Sequence, residues 1–304
     1  MSVTDERYVN SGELRLWTER SGDPNHPSTL LIMGTAAQAI GWPDELVARL
    51  VAGGRQVIRF DHRDTGRSDH VDFATRPYTL AEMAADSLAV LDGYGVEAAH
   101  VVGASMGGAI AQWLAVHHPA RVRTLTTLMT SPMGNNAGPA WARAMAGQPP
   151  APDELPPPTA EFLRHVLGAA TTPRATAEER IEADLATLRV LNGPALPFDE
   201  PAARRYVARS HERARNPAAA GNHDLAGRRL TPDRLVPLSG ITAPTLVVHG
   251  TEDPIFAVPH ARAIAAQVPG ARLELVPGMG HGFFSPGLPR RIADLVLTNP
   301  ARPD

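Results

Sequence analysis

Short apolar runs alternate along the chain with segments that have helical periodicity. The runs have the length and apolar content of buried strands. They occupy residues 28–33, 56–60, 100–102, 124–129, 244–248 and 272–276. Because the connections between strands and helices are short, this alternation predicts an α/β protein with a mostly parallel sheet and helices on both faces.

Several of the intervening helices carry start and stop signals. Thr79 and Glu82 form a capping-box pattern that opens a helix toward Leu91, and Gly93 and Gly95 lie beyond its expected end. Two further helices are predicted over residues 109–116 and 258–268.

The alternation stops between about residues 133 and 240. This stretch contains 14 of the 29 prolines and no convincing strand, but it has helical signals. Thr176 and Glu179 form a second capping box, and another helix is expected over residues 199–215. The pattern predicts a helical insertion that lies over the sheet as a cap. The predicted boundaries are 133–240 for the cap, and 1–132 and 241–304 for the core.

The composition narrows the range of functions. The formal net charge is −3 and the pI is about 6.5, so the chain lacks the concentrated positive charge of a nucleic-acid binder. There is no cysteine, and all 29 basic residues are arginine. This excludes thiolate metal sites, a cysteine nucleophile and covalent lysine chemistry. No metal signature such as H-E-x-x-H is present, so we expect neither a cofactor nor a metal.

The sequence gives no sign of a signal peptide or a membrane span. Its first ten residues, MSVTDERYVN, lack the basic and apolar regions of a signal peptide. No stretch approaches the roughly 18–20 consecutive apolar residues of a membrane helix. We therefore expect a cytoplasmic protein without a nucleic-acid partner.

The strongest local motif is Gly-x-Ser-x-Gly at residues 103–107. It lies where the apolar run at 100–102 passes into a helix of small residues, which is the setting of a nucleophile elbow. Flanking glycines are needed there because a Cβ would collide with neighbouring backbone. Ser105 is the candidate nucleophile; the alternative is a glycine-rich turn with an incidental serine.

A serine hydroxyl needs a base to take its proton, and the base needs a carboxylate to orient it. His281, in a glycine-flanked loop after the run at 272–276, is the candidate base among 12 histidines. Asp253 follows the run at 244–248 and precedes a proline. We prefer it over the neighbouring Glu252 because the proline favours a fixed, extended geometry.

The chain order Ser105, Asp253, His281 and the strand-end position of each motif resemble the α/β-hydrolase superfamily over essentially the whole chain. The segment DHRDTGRS, residues 61–68, is similar to a loop of that family usually written D-x-R-G-x-G-x-S, with Asp64 in place of the glycine. The resemblance implies an eight-stranded, mostly parallel sheet flanked by helices, with a helical cap. We interpret the 61–68 loop as structural, with its arginine anchored by backbone and carboxylate partners.

A closer resemblance is to the aclacinomycin-type methylesterases of anthracycline polyketides. It is carried by residues 33–34, 41–45, 61–68, 90–93 and 277–281. The resemblance implies a serine esterase that forms an acyl-serine intermediate and whose place is in antibiotic biosynthesis. It is clear in the core and weaker in the insertion.

Family geometry also implies an oxyanion hole built from two backbone N–H groups. One is that of Met106, the residue after the nucleophile. The other comes from the loop after the third strand, where Gly34 and Thr35 are the candidates. A serine at position 105 rather than an aspartate argues against the epoxide-hydrolase and haloalkane-dehalogenase branches of the family.

The resemblance implies a methyl or other small alkyl ester of a bulky, polyketide-like molecule as substrate. The apolar residues expected to contact it are Met33, Trp141, Met145, Phe162, Phe283 and Phe284. The same triad also serves thioesterases, lactonases, C–C bond hydrolases and acyltransferases, so these activities stay open. A non-catalytic ligand-binding protein of the same fold is the alternative from a different class.

Overall fold

Eight strands form one mixed sheet in the computed structural model, which describes residues 4–135, 137–152, 154–171, 175–229 and 236–301. The strands are β1 (Thr4–Ser11), β2 (Leu14–Ser21), β3 (Ser28–Ile32), β4 (Gln56–Phe60), β5 (Ala99–Ala104), β6 (Val122–Leu128), β7 (Thr245–Gly250) and β8 (Arg272–Val276). Their spatial order is β1-β2-β4-β3-β5-β6-β7-β8. The pairs β1–β2 and β2–β4 are antiparallel, and all other neighbours are parallel. The predicted, mostly parallel α/β sheet is confirmed.

Helices cover both faces of this sheet. On one face, α2 (Leu80–Gly93), α3 (Met106–His117) and α9 (Val258–Gln267) bury a first apolar core. On the other face, α1 (Asp44–Ala52) and α10 (Leu288–Leu297) bury a second one. Because both faces are covered, β3, β4, β5 and β7 are buried along their whole length, which explains their apolar sequences.

The two predicted capping boxes are present. The side chains of Thr79 and Thr176 each cap a helix N-terminus, with the glutamate three residues later completing the box. The expected end of the first helix is wrong, because α2 continues through Gly93. A Cβ on Gly93 would lie 2.6 Å from Val9 Cγ1, so this glycine lets α2 approach β1 closely rather than ending the helix.

Five described helices lie between β6 and β7. They are α4 (Ala137–Met145), α5 (Ala160–Thr171), α6 (Ala177–Asn192), α7 (Glu200–Arg213) and α8 (Asn222–Gly227). Helices α6 and α7 pack on each other through a small apolar cluster of their own. The insertion limits 133 and 240 stay a prediction, and residues 136, 153, 172–174 and 230–235 lie outside the described residues.

Buried charged residues of the 61–68 loop bind neighbouring parts of the core, including α2. Arg63 binds both carboxylate oxygens of the fully buried Asp86, at 2.7 and 2.8 Å, and donates to the Glu82 carbonyl. Asp64 has φ +69, a backbone conformation that suits glycine better than a residue with a side chain. The Asp64 carboxylate compensates by accepting hydrogen bonds from the Tyr78 hydroxyl and the Val71 N–H.

No helix within the described ranges is both long and apolar enough to span a lipid bilayer.

Candidate active site

Ser105 occupies a strained turn between β5 and α3. Its φ of 54° and ψ of −121° are unfavourable for any residue with a side chain and typically cost about 1–3 kcal/mol. The surrounding structure holds this conformation, since the Ser105 N–H donates to the Leu128 carbonyl at 2.9 Å and the Ser105 carbonyl accepts from the Thr130 hydroxyl at 2.7 Å. The turn presents the Ser105 side chain at the carboxyl end of the sheet.

The two glycines of the motif are required by close backbone contacts. A Cβ on Gly103 would lie 2.1 Å from the Gly107 carbonyl oxygen, and one on Gly107 would lie 2.1 Å from that of Ile32. Neither contact can be relieved by rotating a side chain, because both partners are backbone. The predicted nucleophile elbow is therefore built as the sequence motif implies, with α3 starting directly against the end of β3.

His281 and Asp253 come from the loops after β8 and β7. The His281 Nδ1–H donates to Asp253 Oδ2 at 2.8 Å, and the Asp253 side chain is fully buried. Asp253 Oδ1 accepts the backbone N–H groups of Ile255 and Phe256, each at 2.9 Å. These three bonds fix both carboxylate oxygens, so the carboxylate can hold the imidazole in one tautomer with Nε2 free to accept a proton. Glu252, the competing carboxylate, lies on the exposed side of the turn.

The Asp253 carboxyl is set up to stay ionised. Burial opposes its charge, but the nearby His281 and His249 rings and the hydrogen bonds from His281 and the Phe256 N–H outweigh this effect. The pKa of Asp253 is consequently lower than that of an ordinary aspartate.

The insertion contributes to the position of His281. The His281 N–H donates to the carbonyl of Leu191, in the last turn of α6, at 2.6 Å. A Cβ on Gly280 would lie 2.2 Å from that same oxygen. The glycine before the histidine therefore lets the base loop pack directly on the insertion, a contact that no sequence motif indicates.

Between Ser105 and His281 the structure shows no hydrogen bond, within the part of the chain that it describes. Looser geometry between nucleophile and base is common when no substrate is bound. The shared location of the two residues follows from the topology, because β5, β7 and β8 are parallel and their carboxyl ends meet at one edge of the sheet.

The loop after β3 lies against the elbow. A Cβ on Gly34 would approach the Ser105 Cβ to 3.1 Å, so the bare glycine backbone borders the candidate nucleophile. Thr35 is exposed, and no described residue accepts a hydrogen bond from its N–H. The same holds for the N–H of Met106, at the first position of α3. The N–H groups of Thr35, next to Gly34, and of Met106, next to Ser105, are thus the candidate donors to a developing oxyanion.

Two buried histidines support this loop, and the sequence motifs did not identify either of them as site residues. The His62 Nε2–H donates to the Met33 carbonyl at 2.9 Å, while His223, on α8, accepts the Ala36 N–H at its Nδ1 at 3.0 Å. Their rings meet edge to face at 5.6 Å. His62 lies within the 61–68 loop that was interpreted as structural, and His223 lies in the insertion, where no pattern distinguishes it.

The six expected substrate-contacting residues have different surroundings. Phe283 and Phe284 line a cleft of about 500 Å³ together with Tyr206 of α7. Trp141 and Phe162 contact each other, with ring centres 6.0 Å apart. Met33 lies beside Gly41 in the core. Met145 lies at the surface and is 44% exposed.

Comparison with known proteins gives relatives over nearly the whole chain. Residues 30–288 match the family described as alpha/beta hydrolase fold. The chain is 41% identical over 284 residues to the rhodomycin D methylesterase DnrP of Streptomyces peucetius, an alignment that covers 91% of this chain and 92% of that protein. It is 39% identical, with the same coverage, to the rhodomycin D methylesterase DauP of Streptomyces sp. (strain C5).

Solved structures agree on the architecture. The esterase RhEst1 from Rhodococcus sp. ECU1013 matches with a TM-score of 0.73 at 22% identity, covering 97% of this chain and 99% of that one. At this level of identity the likeness concerns the fold alone.

The strain at Ser105 predicts an unusual stability change. Ser105→Gly removes the steric cost of the backbone conformation, about 1–3 kcal/mol, and adds the ordinary entropic cost of a glycine, about 0.5–1 kcal/mol. We expect a free energy of unfolding about 1 kcal/mol higher than that of the wild type, measured by urea denaturation. Ser87→Gly, inside α2, is the matched control and should lower it. Destabilisation by both substitutions to the same extent would contradict strain at Ser105.

The buried His62 predicts a loss of stability in mild acid. Burial, with the nearby His223 and Arg63, lowers the pKa of His62 to about 3, so this ring stays neutral in the folded protein. Between pH 6.5 and 3 the unfolded state binds a proton here that the folded state does not. The free energy of unfolding therefore falls as the pH falls, by up to about 1.4 kcal/mol per pH unit from this residue.

The substitution His62→Gln isolates this effect. A glutamine amide keeps an N–H donor for the Met33 carbonyl but does not titrate. The free energy of unfolding of this variant is measured by urea denaturation between pH 4 and 6. Its increase with pH should be smaller than that of the wild type by about 1.4 kcal/mol per pH unit. Data at pH 8, where the ring is neutral in both states, give the baseline. Parallel curves for the two proteins would rule out His62 as the titrating group.

Proposed function

The chain belongs to the alpha/beta hydrolase fold family and is a methylesterase-like carboxylic ester hydrolase, and we propose that its substrate is the methyl ester of a bulky, polyketide-like aromatic acid. Within this proposal Ser105 is the nucleophile, His281 the general base and acid, and Asp253 the orienting carboxylate. The observation that carries it is the Asp253–His281 hydrogen bond at the same sheet edge as a serine in a strained elbow.

The reaction begins with attack of Ser105 Oγ on the ester carbonyl carbon, while His281 Nε2 takes the hydroxyl proton. The resulting oxyanion accepts the N–H groups of Met106 and Thr35, with the Gly34 backbone leaving room for the carbonyl group. Loss of one such donor typically costs about 2.7–4 kcal/mol of transition-state stabilisation.

The intermediate then collapses to an acyl-serine. His281 returns its proton to the departing alkoxide, which leaves as methanol. A water molecule, deprotonated by the same ring, attacks the acyl-serine and releases the carboxylic acid and Ser105. The ionised Asp253 stabilises the imidazolium at both proton-transfer stages.

The proposed substrate class is supported by the relatives. The two relatives that are about 40% identical over 91% of the chain are named as methylesterases of rhodomycin D. The cleft beside Phe283 and Phe284 adds no support, because charged residues such as Asp44 and Arg205 also line it and no residue of the triad does. The expected cytoplasmic location is compatible with a small-molecule substrate and stays a prediction.

Other acyl-transfer activities use the same catalytic groups. Thioesterase, lactonase, C–C hydrolase and acyltransferase activities differ in the leaving group or the acceptor, not in the triad. A non-catalytic ligand-binding role is disfavoured for two reasons. It would not require an ionised Asp253 whose carboxylate accepts two backbone N–H groups, and it would not require a serine in a strained backbone conformation at position 105.

A panel of two methyl esters and one thioester tests the substrate class. The panel pairs a tetracyclic, anthracycline-type methyl ester with methyl butyrate and with the ethyl thioester of the same tetracyclic acid. We expect kcat/KM for the tetracyclic methyl ester to exceed that for methyl butyrate by at least about 100-fold, since burial of a large acyl group stabilises the transition state. Methanol release and mass spectrometry of the free acid provide the readout.

One control variant and two possible outcomes make the panel decisive. Ser105→Ala should lower kcat by at least about 10³-fold on every substrate, because the nucleophile is lost. Preference for methyl butyrate would remove the bulky-substrate proposal. Preference for the thioester would instead assign the protein to the thioesterases.

A further inference from the structure

We propose that His223, a residue of the helical insertion, is a positioning residue for the oxyanion hole. It holds the loop after β3 so that the Thr35 N–H faces the carbonyl oxygen of the substrate. The inference rests on the proposed function and adds to it a residue that lies outside the triad and outside the predicted oxyanion set.

The contacts of His223 determine which of its nitrogens carries the hydrogen. Nδ1 lies 3.0 Å from the Ala36 nitrogen, whose N–H can only donate, and Nε2 lies 2.8 Å from the Arg63 carbonyl oxygen, which can only accept. The ring is therefore neutral, with its hydrogen on Nε2. The His223 side chain is buried, with 1% of its surface exposed, so the ring has few alternatives to these two partners.

The Ala36 N–H belongs to the peptide group that sets the orientation of the loop. The Ala37 N–H donates to the Gly34 carbonyl at 3.3 Å and closes a β-turn with Thr35 and Ala36 at its centre. Ala36 has φ +58, a value that turns with a glycine or asparagine at this position adopt. Alanine is poorly suited to it, so the turn needs an external contact that favours this orientation of the Thr35–Ala36 peptide.

His223 supplies that contact. Rotation of the Thr35–Ala36 peptide to the more common turn type would turn the Ala36 N–H away from Nδ1 and leave a buried acceptor without a donor. The Thr35 N–H belongs to the preceding peptide, which such a flip leaves in place. Without the Ala36–Nδ1 bond, however, residues 34–37 can shift together and carry the Thr35 N–H with them. The histidine thus opposes the movement that would misalign the proposed oxyanion donor.

Other contacts between the insertion and this loop act further along the chain. The Gln38 side chain donates to the Ser210 carbonyl and accepts from Arg213, and the Ala39 N–H donates to Asp61. These bonds fix residues 38 and 39. Among the described residues, His223 alone forms a hydrogen bond with the Thr35–Ala36 peptide.

Two substitutions of His223 test the contacts of the two ring nitrogens separately. In His223→Asn the side-chain oxygen takes the place of Nδ1 and can accept the Ala36 N–H. In His223→Gln the amide reaches the place of Nε2 and can donate to the Arg63 carbonyl, but it leaves Ala36 without an acceptor. His165→Asn, whose shorter amide cannot take the place of the ring Nε2 at Thr187, removes a histidine contact between α5 and α6 of the insertion and controls for general loosening of these helices.

The experiment measures hydrolysis of p-nitrophenyl butyrate and inhibition by a trifluoromethyl ketone, whose adduct carries an oxyanion. We expect His223→Gln to lower kcat at least about tenfold with KM changed less than about threefold, and to weaken the inhibitor by a similar factor. His223→Asn should keep a kcat several-fold above that of His223→Gln, and His165→Asn should behave as the wild type.

Several outcomes would overturn the proposal. Equal kcat values for His223→Gln and His223→Asn would show that the Ala36 contact is irrelevant, as would a change confined to KM. Wild-type kcat in His223→Gln, with Ser105→Ala inactive, would remove this inference and leave the proposed function intact. Hydrolysis by Ser105→Ala at the wild-type rate would remove the proposed function itself.

A measurement on the wild-type protein covers the case in which both His223 variants fail to fold. The ¹⁵N chemical shifts of the His223 ring report which nitrogen carries the hydrogen. We expect an unprotonated Nδ1 near neutral pH, with a scalar coupling across the hydrogen bond to the Ala36 nitrogen. A ring protonated at Nδ1 would be unable to accept that N–H and would contradict the proposal.

Discussion

The close backbone packing at the elbow is the constraint on which the rest of the site depends. Gly107 contacts the end of β3 so tightly that no side chain fits, and Gly103 contacts Gly107 in the same way. This packing sets where α3 starts, holds Ser105 in an unfavourable conformation and brings Gly34 against the Ser105 Cβ. One arrangement of the backbone therefore determines where the candidate nucleophile lies, where the adjacent N–H donors lie, and why Ser105 is strained.

The insertion is part of this arrangement. The end of α6 supplies the carbonyl that holds the His281 backbone, and α8 supplies the histidine that holds Ala36. Between them, Arg213 of α7 binds the buried Asp61 at 2.7 Å, which in turn accepts the Ala39 N–H. The loop of the candidate base His281 and the candidate oxyanion loop therefore both rely on contacts from helices that sequence patterns identify only as a cap. Specificity and catalytic geometry are expected to change together when these helices vary.

Much of the fold follows from the sequence, because the central strands are buried on both faces and read as apolar runs. The strand 56–60 and the strand 272–276 were predicted at their observed limits. Strands β1 and β2 left no such pattern; β1 is an edge strand in which only Val9 is fully buried. The elbow and the Asp253–His281 pair could be predicted because glycines and strand ends mark them. His62 and His223 could not, because a buried histidine that binds backbone has no periodicity and no motif, only tertiary partners.

The central claim is that Ser105 is an activated nucleophile. A fluorophosphonate probe, which reacts with serines activated in this way, tests it directly on the wild-type protein, with Ser105→Ala as the matched control. After digestion and mass spectrometry, the account predicts one modified peptide, carrying the probe on Ser105, and no modification in the variant. Absence of labelling in the wild type, or equal labelling of the variant, would contradict it.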